Sequence, residues 1–165
     1  MAEANYQVRP LRDEERTWLR DTLRARWGDD FFVGRGSVRL LDELHALVAL
    51  DGQQRVGVAT YALDREYAEL VTLDALREGV GVGRMLIEAV AESVRGQGAA
   101  ELLVMTTNDN LRALRLYQRA GFRLQALRVG AIEQARRLKP SIPQVGYDGI
   151  PIRDELDLVR SLARF

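Results

Sequence analysis

The sequence predicts one mixed α/β domain spanning residues 1–165, and three observations lead to that class. Short apolar or alternating runs interleave with segments of helical periodicity; two of the runs are joined by Asp51-Gly52; and 165 residues can bury a sizeable core without cross-links. The predicted order is β-α-β-β-β-α-β-α-β, then an insert over 130–153, then a last strand. No repeat, low-complexity tract or domain linker interrupts it.

Tyr6-Gln7-Val8-Arg9-Pro10-Leu11 reads as an opening strand, and Leu19, Leu23 and Trp27 stand at i, i+4 spacing on a first helix. Gly28-Asp29-Asp30 ends that helix, and Gly34-Arg35-Gly36 marks a loop. Leu44 to Leu50 and Arg55 to Leu63, joined at Asp51-Gly52, predict a β-hairpin, with Glu66 to Leu73 as a third consecutive strand. Met85, Leu86, Ala89, Val90 and Val94 line one face of a helix that begins near Met85 and ends at Gly96-Gln97-Gly98. Leu102 to Met105 reads as a short buried strand. Asn108-Asp109-Asn110 offers capping chemistry to a helix over 111–120 that carries Leu111, Leu114 and Tyr117 on one face. Gly121 closes it, and Phe122 to Val129 begins another strand. Ala131 to Lys139 predicts a short helix. Pro140, Pro143, Gly146, Gly149 and Pro151 then argue against regular structure, and Glu155 to Leu158 alternates as the final strand.

Composition narrows the function classes. Lys plus Arg and Asp plus Glu both number 24, so bulk attraction to nucleic acid or anionic membrane is not expected. Cysteine is absent, which removes disulfides, thiolate metal sites and acyl-cysteine intermediates. No apolar run reaches spanning length and no signal-like core is seen near the start, so a cytoplasmic, metal-free protein is expected.

The segment Glu78-Gly79-Val80-Gly81-Val82-Gly83-Arg84 lies between an apolar run and a helix, which suits a backbone cradle for a phosphate or pyrophosphate. A P-loop requires Gly-Lys followed by Ser or Thr, where this chain has Gly83-Arg84-Met85. A Gly-x-Gly-x-x-Gly fingerprint fails too: its last position is Arg84 or Leu86.

Downstream stands Asn110-x-x-Ala113-x-x-x-Tyr117-x-x-x-Gly121-Phe122. With both motifs in this order, the chain resembles the GNAT superfamily of acyl-CoA-dependent N-acetyltransferases, most strongly from Val48 to Phe122. Thr106 to Asn110, Lys139 to Pro143 and Gly149 to Ile152 are similar to a single-domain subgroup to which no acceptor attaches. The resemblance implies a GNAT-like fold, a central, mostly antiparallel sheet splayed at its middle and flanked by helices. It also implies acetyl-CoA as co-substrate, its pyrophosphate held by backbone of Val80, Gly81, Val82, Gly83 and Arg84. The strand would splay at Val71-Thr72-Leu73, where Val71 and Leu73 pair with the pantetheine arm and the Leu73 N–H polarises the thioester carbonyl. Tyr117 would contact the cofactor and protonate the departing thiolate.

Alternatives stand beside several of these roles. Asn110 either binds the cofactor or caps the helix, a task for which Asn108 and Asp109 compete. Glu69, four residues before Leu73 and on the same side by period two, is the candidate base, with Glu66 as its alternative. Glu78 departs from the family, which usually has Arg or Gln there; Arg77 or Arg84 would compensate its charge. Arg112, Arg115 and Arg119 read as a solvated stripe, and His45 as a packed residue.

The expected function is transfer of acetyl from acetyl-CoA to a primary amine by direct attack in a ternary complex. The acceptor, a small molecule or a peptide, would be walled by the insert, the first helix and the loop from Trp27 to Arg35. A catalytically silent acyl-CoA-binding domain is the alternative. Oligomeric state is left open, a homodimer included.

Overall fold

The structure, a computed structural model, describes residues 5–65 and 67–163. Its elements are β1 (Tyr6–Pro10), α1 (Arg16–Trp27), β2 (Phe31–Gly34), β3 (Ser37–Leu40), β4 (His45–Asp51), β5 (Gln54–Leu63), β6 (Tyr67–Ala75), α2 (Val82–Gly96), β7 (Glu101–Thr107), α3 (Leu111–Arg119), β8 (Arg123–Arg128), α4 (Ala131–Leu138) and β9 (Glu155–Ser161). The class is mixed α/β with mostly antiparallel strands, as the sequence predicts. Contacts divide the chain into two compact units. The first holds the described parts of Met1–Arg16, Leu44–Leu102 and Ser161–Phe165, the second Thr17–Glu43 and Leu103–Arg160.

In the first unit, β1, β4, β5 and β6 are neighbours in that order, each pair antiparallel. The expected hairpin closes through Gly52-Gln53, and Asp51 pairs with Gln54. Leu47, Val48, Ala49, Val58 and Ala59 are buried, so these strands carry the near-continuous apolar runs of a sheet covered on both faces. Helix α2 buries Val82, Leu86, Ile87, Val90, Ala91 and Val94, which recur at helical spacing. It starts three residues before the Met85 expected, because glycine loop residues themselves form its first turn. It sits so close to β5 that a Cβ at Gly57 would overlap Val82 Cγ1 and lie 3.0 Å from Leu86 Cδ1 and from the Asp74 carbonyl oxygen.

Glu15, buried just before α1, is the unit's principal carboxylate anchor. It accepts from Arg9 Nη1 at 2.7 Å and Nη2 at 3.0 Å, from the Arg12 N–H at 2.9 Å and from Arg55 Nε at 3.1 Å. The Arg9 hydrogen bonds, helped by those from Arg12 and Arg55, hold its pKa at about 2 against an ordinary 4.5.

The second unit holds α1, α3 and α4 with the strand order β7-β9-β8, β8 and β9 being antiparallel. Leu19 and Leu23 are fully buried, while Trp27, expected on the same apolar face, is 42% exposed and meets the Phe32 ring edge-on at 5.9 Å between centroids. The loop expected between Trp27 and Arg35 is instead the β2–β3 hairpin, with Phe31 opposite Leu40 and Gly34 opposite Ser37. Its tip, Arg35-Gly36, has φ of 54° and 75°, the two positive values of a type I′ turn. An arginine is unusual there. The Arg35 N–H donates to Glu155 Oε2 at 3.2 Å, and its Nε stands 3.5 Å from Asp157 Oδ2. Arg128 bridges the same two buried carboxylates, which hold its guanidinium above its ordinary pKa. The hairpin eluded the sequence reading because its turn lacks Asn-Gly or Asp-Gly and takes its hold from residues 120 positions away.

Two predictions follow from this packing. Gly57→Ala should lower unfolding stability by about 1–3 kcal/mol in denaturant titration, since the overpacked Cβ meets backbone as well as side chains. Glu15→Gln should cost about 2–3 kcal/mol by removing one side of a buried charge cluster. Because Glu15 has its pKa depressed by folding, its contribution is complete above pH 4.5 and disappears as pH falls toward 2. The deficit of the variant should therefore shrink across that window, as read by urea titrations at successive pH values.

Candidate functional site

The glycine segment and β6 lie in the first unit; Asn110 and Tyr117 lie in the second. Gly79 and Gly81 have φ of 77° and 84°, a region where a side chain costs strain, and no atom lies within 4 Å of where a Cβ would stand on either. Gly81 is the N-cap of α2, with no side chain capping the helix, and the first helical bond runs from the Met85 N–H to the Gly81 carbonyl at 3.0 Å. The N–H groups of Gly81, Val82, Gly83 and Arg84 precede that bond and have no partner within the helix. They form a cluster of donors at the positive end of a 15-residue helix. Val80 is 44% exposed, whereas the Val82 side chain is buried and anchors the loop, so only its backbone remains for binding.

Arg77 donates to the Asp51 carboxylate and, at 2.7 Å, to Gln54 Oε1; the hydrogen bond to Asp51, followed by one to Tyr6, raises its pKa. It therefore braces the β4–β5 turn. Glu78 and Arg84 are both exposed.

Strand β6 contains the main departure from the sequence reading. Thr72 pairs with Thr60 but Leu70 with Tyr61, so Val71 is an extra residue, a β-bulge. A bulge reverses the period-two alternation. Leu73 and Leu70 share the face of Gly57, Ala59 and Tyr61, which is the α2 side, since the Tyr61 hydroxyl lies 3.1 Å from Ser93 Oγ on α2. Glu69 shares the opposite face with Thr72 and Asp74. The expectation that Glu69 and Leu73 lie on one side is thus corrected.

That opposite face carries a row of buried polar side chains. Thr60 and Thr72 face each other with hydroxyls 2.7 Å apart, and Asp74 and Glu69 are buried beyond them. Sequence reasoning singled out only Glu69. The phase break between Glu69 and the Thr72–Asp74 pair was the available signal. Glu66, the alternative base, lies outside the described residues.

In the second unit, Asn110 is the N-cap of α3: its Oδ1 accepts from the Ala113 N–H at 3.1 Å. The three-way competition resolves this way because its neighbours hold other partners. Asn108 Oδ1 accepts from the N–H groups of Arg153 at 2.8 Å and Asp154 at 3.0 Å, while its Nδ2 donates to the Pro151 carbonyl at 2.9 Å. Asp109, buried, accepts from Thr107 Oγ1 at 2.5 Å and from the Tyr147 N–H at 3.1 Å. Tyr117 is buried on α3 with its ring 5.7 Å from that of Phe122. Leu111, expected on the same inward face, is 51% exposed. Arg112, Arg115 and Arg119 are exposed, as expected of a solvated stripe. His45 stacks on Tyr61 at 5.2 Å between ring centroids.

The insert holds the chain's only lysine. Lys139 Nζ donates to the Phe31 carbonyl at 3.0 Å and lies 5.3 Å and 5.5 Å from the ring centroids of Phe31 and Phe32. Burial pushes its pKa below the ordinary lysine value. Ser141 Oγ donates to Asp29 Oδ2 at 2.7 Å. The insert is thereby fastened to the β2–β3 hairpin, a connection that the sequence reading did not contain.

Comparison with known proteins agrees with this fold and these motifs. A family model described as the acetyltransferase (GNAT) family matches residues 7–122. The uncharacterized protein YxbD of Bacillus subtilis (strain 168) is 40% identical over 137 residues, covering 82% of this chain and 86% of that one. YdhI of the same organism is 34% identical over 139 residues, covering 84% and 87%. Among solved structures, a GNAT family acetyltransferase from Elizabethkingia anophelis with acetyl-CoA bound superposes with a TM-score of 0.71 at 18% identity, covering 95% of this chain and 98% of that one. A Bacillus subtilis acetyltransferase in complex with CoA gives 0.70 at 20% identity, covering 96% and 100%. No helix among the described residues is long and apolar enough to cross a membrane. By the extent of the family match, and by the glycine-headed helix and capped α3 that carry its two motifs, the chain belongs to the GNAT acetyltransferase family.

Proposed function

We propose that the chain transfers an acetyl group from acetyl-CoA to a primary amine by direct attack within a ternary complex. The observation that carries this reading is the uncapped start of α2, where two left-handed glycines leave open space in front of the first-turn N–H groups. A pyrophosphate needs several convergent donors and close backbone approach, and this arrangement supplies both. Similar folds hold acetyl-CoA or CoA in two of the structures compared.

Acetyl-CoA would supply the acetyl thioester. The N–H groups of Val80 to Arg84 bind its pyrophosphate, and backbone of Val71 and Leu73 aligns the pantetheine arm, with the Leu73 N–H donating to the thioester oxygen as charge builds there. The Val71 bulge supports such a role, because an extra residue frees local backbone from regular pairing. Asn110 contributes by fixing the start of α3.

The attacking nitrogen forms a bond to the acetyl carbon as the carbon–sulfur bond breaks. The sulfur leaves as a thiolate and takes a proton from the Tyr117 phenol, a donor at neutral pH. The proton lost by the amine passes to Glu69, directly or through water, and returns to Tyr117 through solvent. Glu69 suits this task through its place in a buried polar row with Thr72 and Asp74. The insert and the β2–β3 hairpin, fastened by Lys139, form walls for the acceptor.

A thiol-release screen of acetyl-CoA against primary amines and peptides tests the reading. Turnover with at least one class is expected; binding of CoA without release across the panel would instead indicate a silent binding domain. Tyr117→Phe keeps the ring packing and should lower kcat by about 100-fold with acetyl-CoA affinity little changed. Unaltered turnover would remove Tyr117 from the chemistry. Gly81→Asp should weaken CoA binding at least about 10-fold by calorimetry, since both the side chain and its charge enter the open space before the helix. A thermal melt of the same variant separates that loss from the cost, about 1 kcal/mol, of a side chain at this φ.

A further inference from the structure

Strand β8 ends the order β7-β9-β8 of the second unit, and among the described residues it pairs with β9 alone. Its outer edge therefore presents main-chain N–H and C=O groups to which no described strand is paired. Every residue from Arg123 to Leu127 is exposed, Leu124 at 54% and Leu127 at 58%. Val129, two residues further, is 81% exposed. A bulge gathers these side chains. Leu124 lies opposite Leu158 and Ala126 opposite Asp157, so Gln125 is an extra residue. Leu124 and Leu127 thereby share the face of Leu158 and Leu156, where unbroken alternation would have parted them. Three large apolar side chains in one line expose on the order of a few hundred Å², the size at which a patch marks an interaction surface.

The two ends of this stripe differ in charge. Arg123, exposed, stands at its start. At its far end Val129 and Gly130 open into a groove lined also by Glu133, Arg136, Arg153 and Asp154. Glu133 is exposed, and Asp154 Oδ1 accepts from the Gly130 N–H at 2.8 Å. Arg136 is turned to main chain, its Nη2 donating to the carbonyls of Pro143 and Ile152, each at 2.8 Å. Arg153 is exposed. The other face of β8 carries Arg123, Ala126 and Arg128, of which Arg128 is held by Glu155 and Asp157 on β9. Stripe, groove and both carboxylate groups lie within the second unit.

We propose that β8 is a self-association edge: a second copy of this chain adds its own β8, antiparallel, about a twofold axis at Leu127. A twofold contact sets one patch against itself, so the patch must match its own reverse. This register does so. Counted outward from Leu127, with Gln125 as the extra residue, Ala126 meets Arg128 of the second copy, a small side chain against a large one. Leu124 then meets Val129, which joins the two stripes into one apolar band, and Arg123 meets Gly130, beside Glu133 and Asp154 of the groove. A twofold axis at Ala126 would instead set Arg123 against Arg128, two like charges. The joined stripes and the paired main chain approach the ~1,000 Å² of a specific interface.

Sedimentation equilibrium of the full chain over a range of concentrations tests this, with a thermal melt of each variant to show that it remains folded. The unaltered chain should reach the mass of a dimer. Leu127→Arg brings two like charges together on the axis and should weaken dimerisation at least about ten-fold. Arg123→Glu and Glu133→Arg should each weaken it about five-fold, and the double exchange should recover most of the loss, since it restores the pair with its signs reversed. A chain that stays monomeric at every concentration overturns the proposal. A dimer unaltered by Leu127→Arg overturns it too, since association then uses another surface. Additive losses in the double exchange reject the Leu127 register.

Discussion

The close seat of α2 on β5 is the constraint from which the candidate cofactor cradle derives. At Gly57 the strand, the helix residues Val82 and Leu86, and the carbonyl of Asp74 on β6 converge within the space that one methyl group would occupy. That convergence fixes where α2 begins, and so fixes the direction in which the N–H groups of Gly81 to Arg84 point. Burial of Val82, Leu86 and Val90 holds the helix down, while the two left-handed glycines let the chain turn into it without side chains in front of the donors. Apolar packing and an exposed cluster of N–H donors are two aspects of one arrangement.

On β6, one additional residue alters what each face offers. The bulge at Val71 keeps Leu70 and Leu73 against α2 and turns Glu69, Thr72 and Asp74 together to the other side. A strand of unbroken alternation would have put Glu69 with Leu73 and dispersed the carboxylates. Concentrating them, with the Thr60–Thr72 hydroxyl pair between strands, yields a buried polar row on β5 and β6. Buried polar groups are retained at a desolvation cost, which makes this row a candidate site for proton transfer.

The second unit relies on a different device, buried carboxylates and amides that reach far along the sequence. Glu155 and Asp157 restrain the Arg35 turn, Asp109 and Asn108 restrain the segment 144–154, and Lys139 ties the insert to β2. Each bond joins segments that have weak local preferences of their own. Together they restrain stretches rich in Gly and Pro.

By itself the sequence determined the order of the longer elements, the glycine segment at the head of α2 and the place of Tyr117 on α3, because these depend on local periodicity and on motif spacing. The hairpin at Asp51-Gly52 and the apolar face of α2 were legible for that reason. Only the tertiary structure decided which of Asn108, Asp109 and Asn110 caps α3, since each has the chemistry and long-range partners claim two of them. It likewise decided that Arg77 serves the β4–β5 turn, that Arg35 stands at a hairpin tip, and that Glu69 faces away from Leu73. A bulge and a distant carboxylate leave almost no local trace in composition. Their effect exists only once strands have paired and side chains have been withdrawn from water.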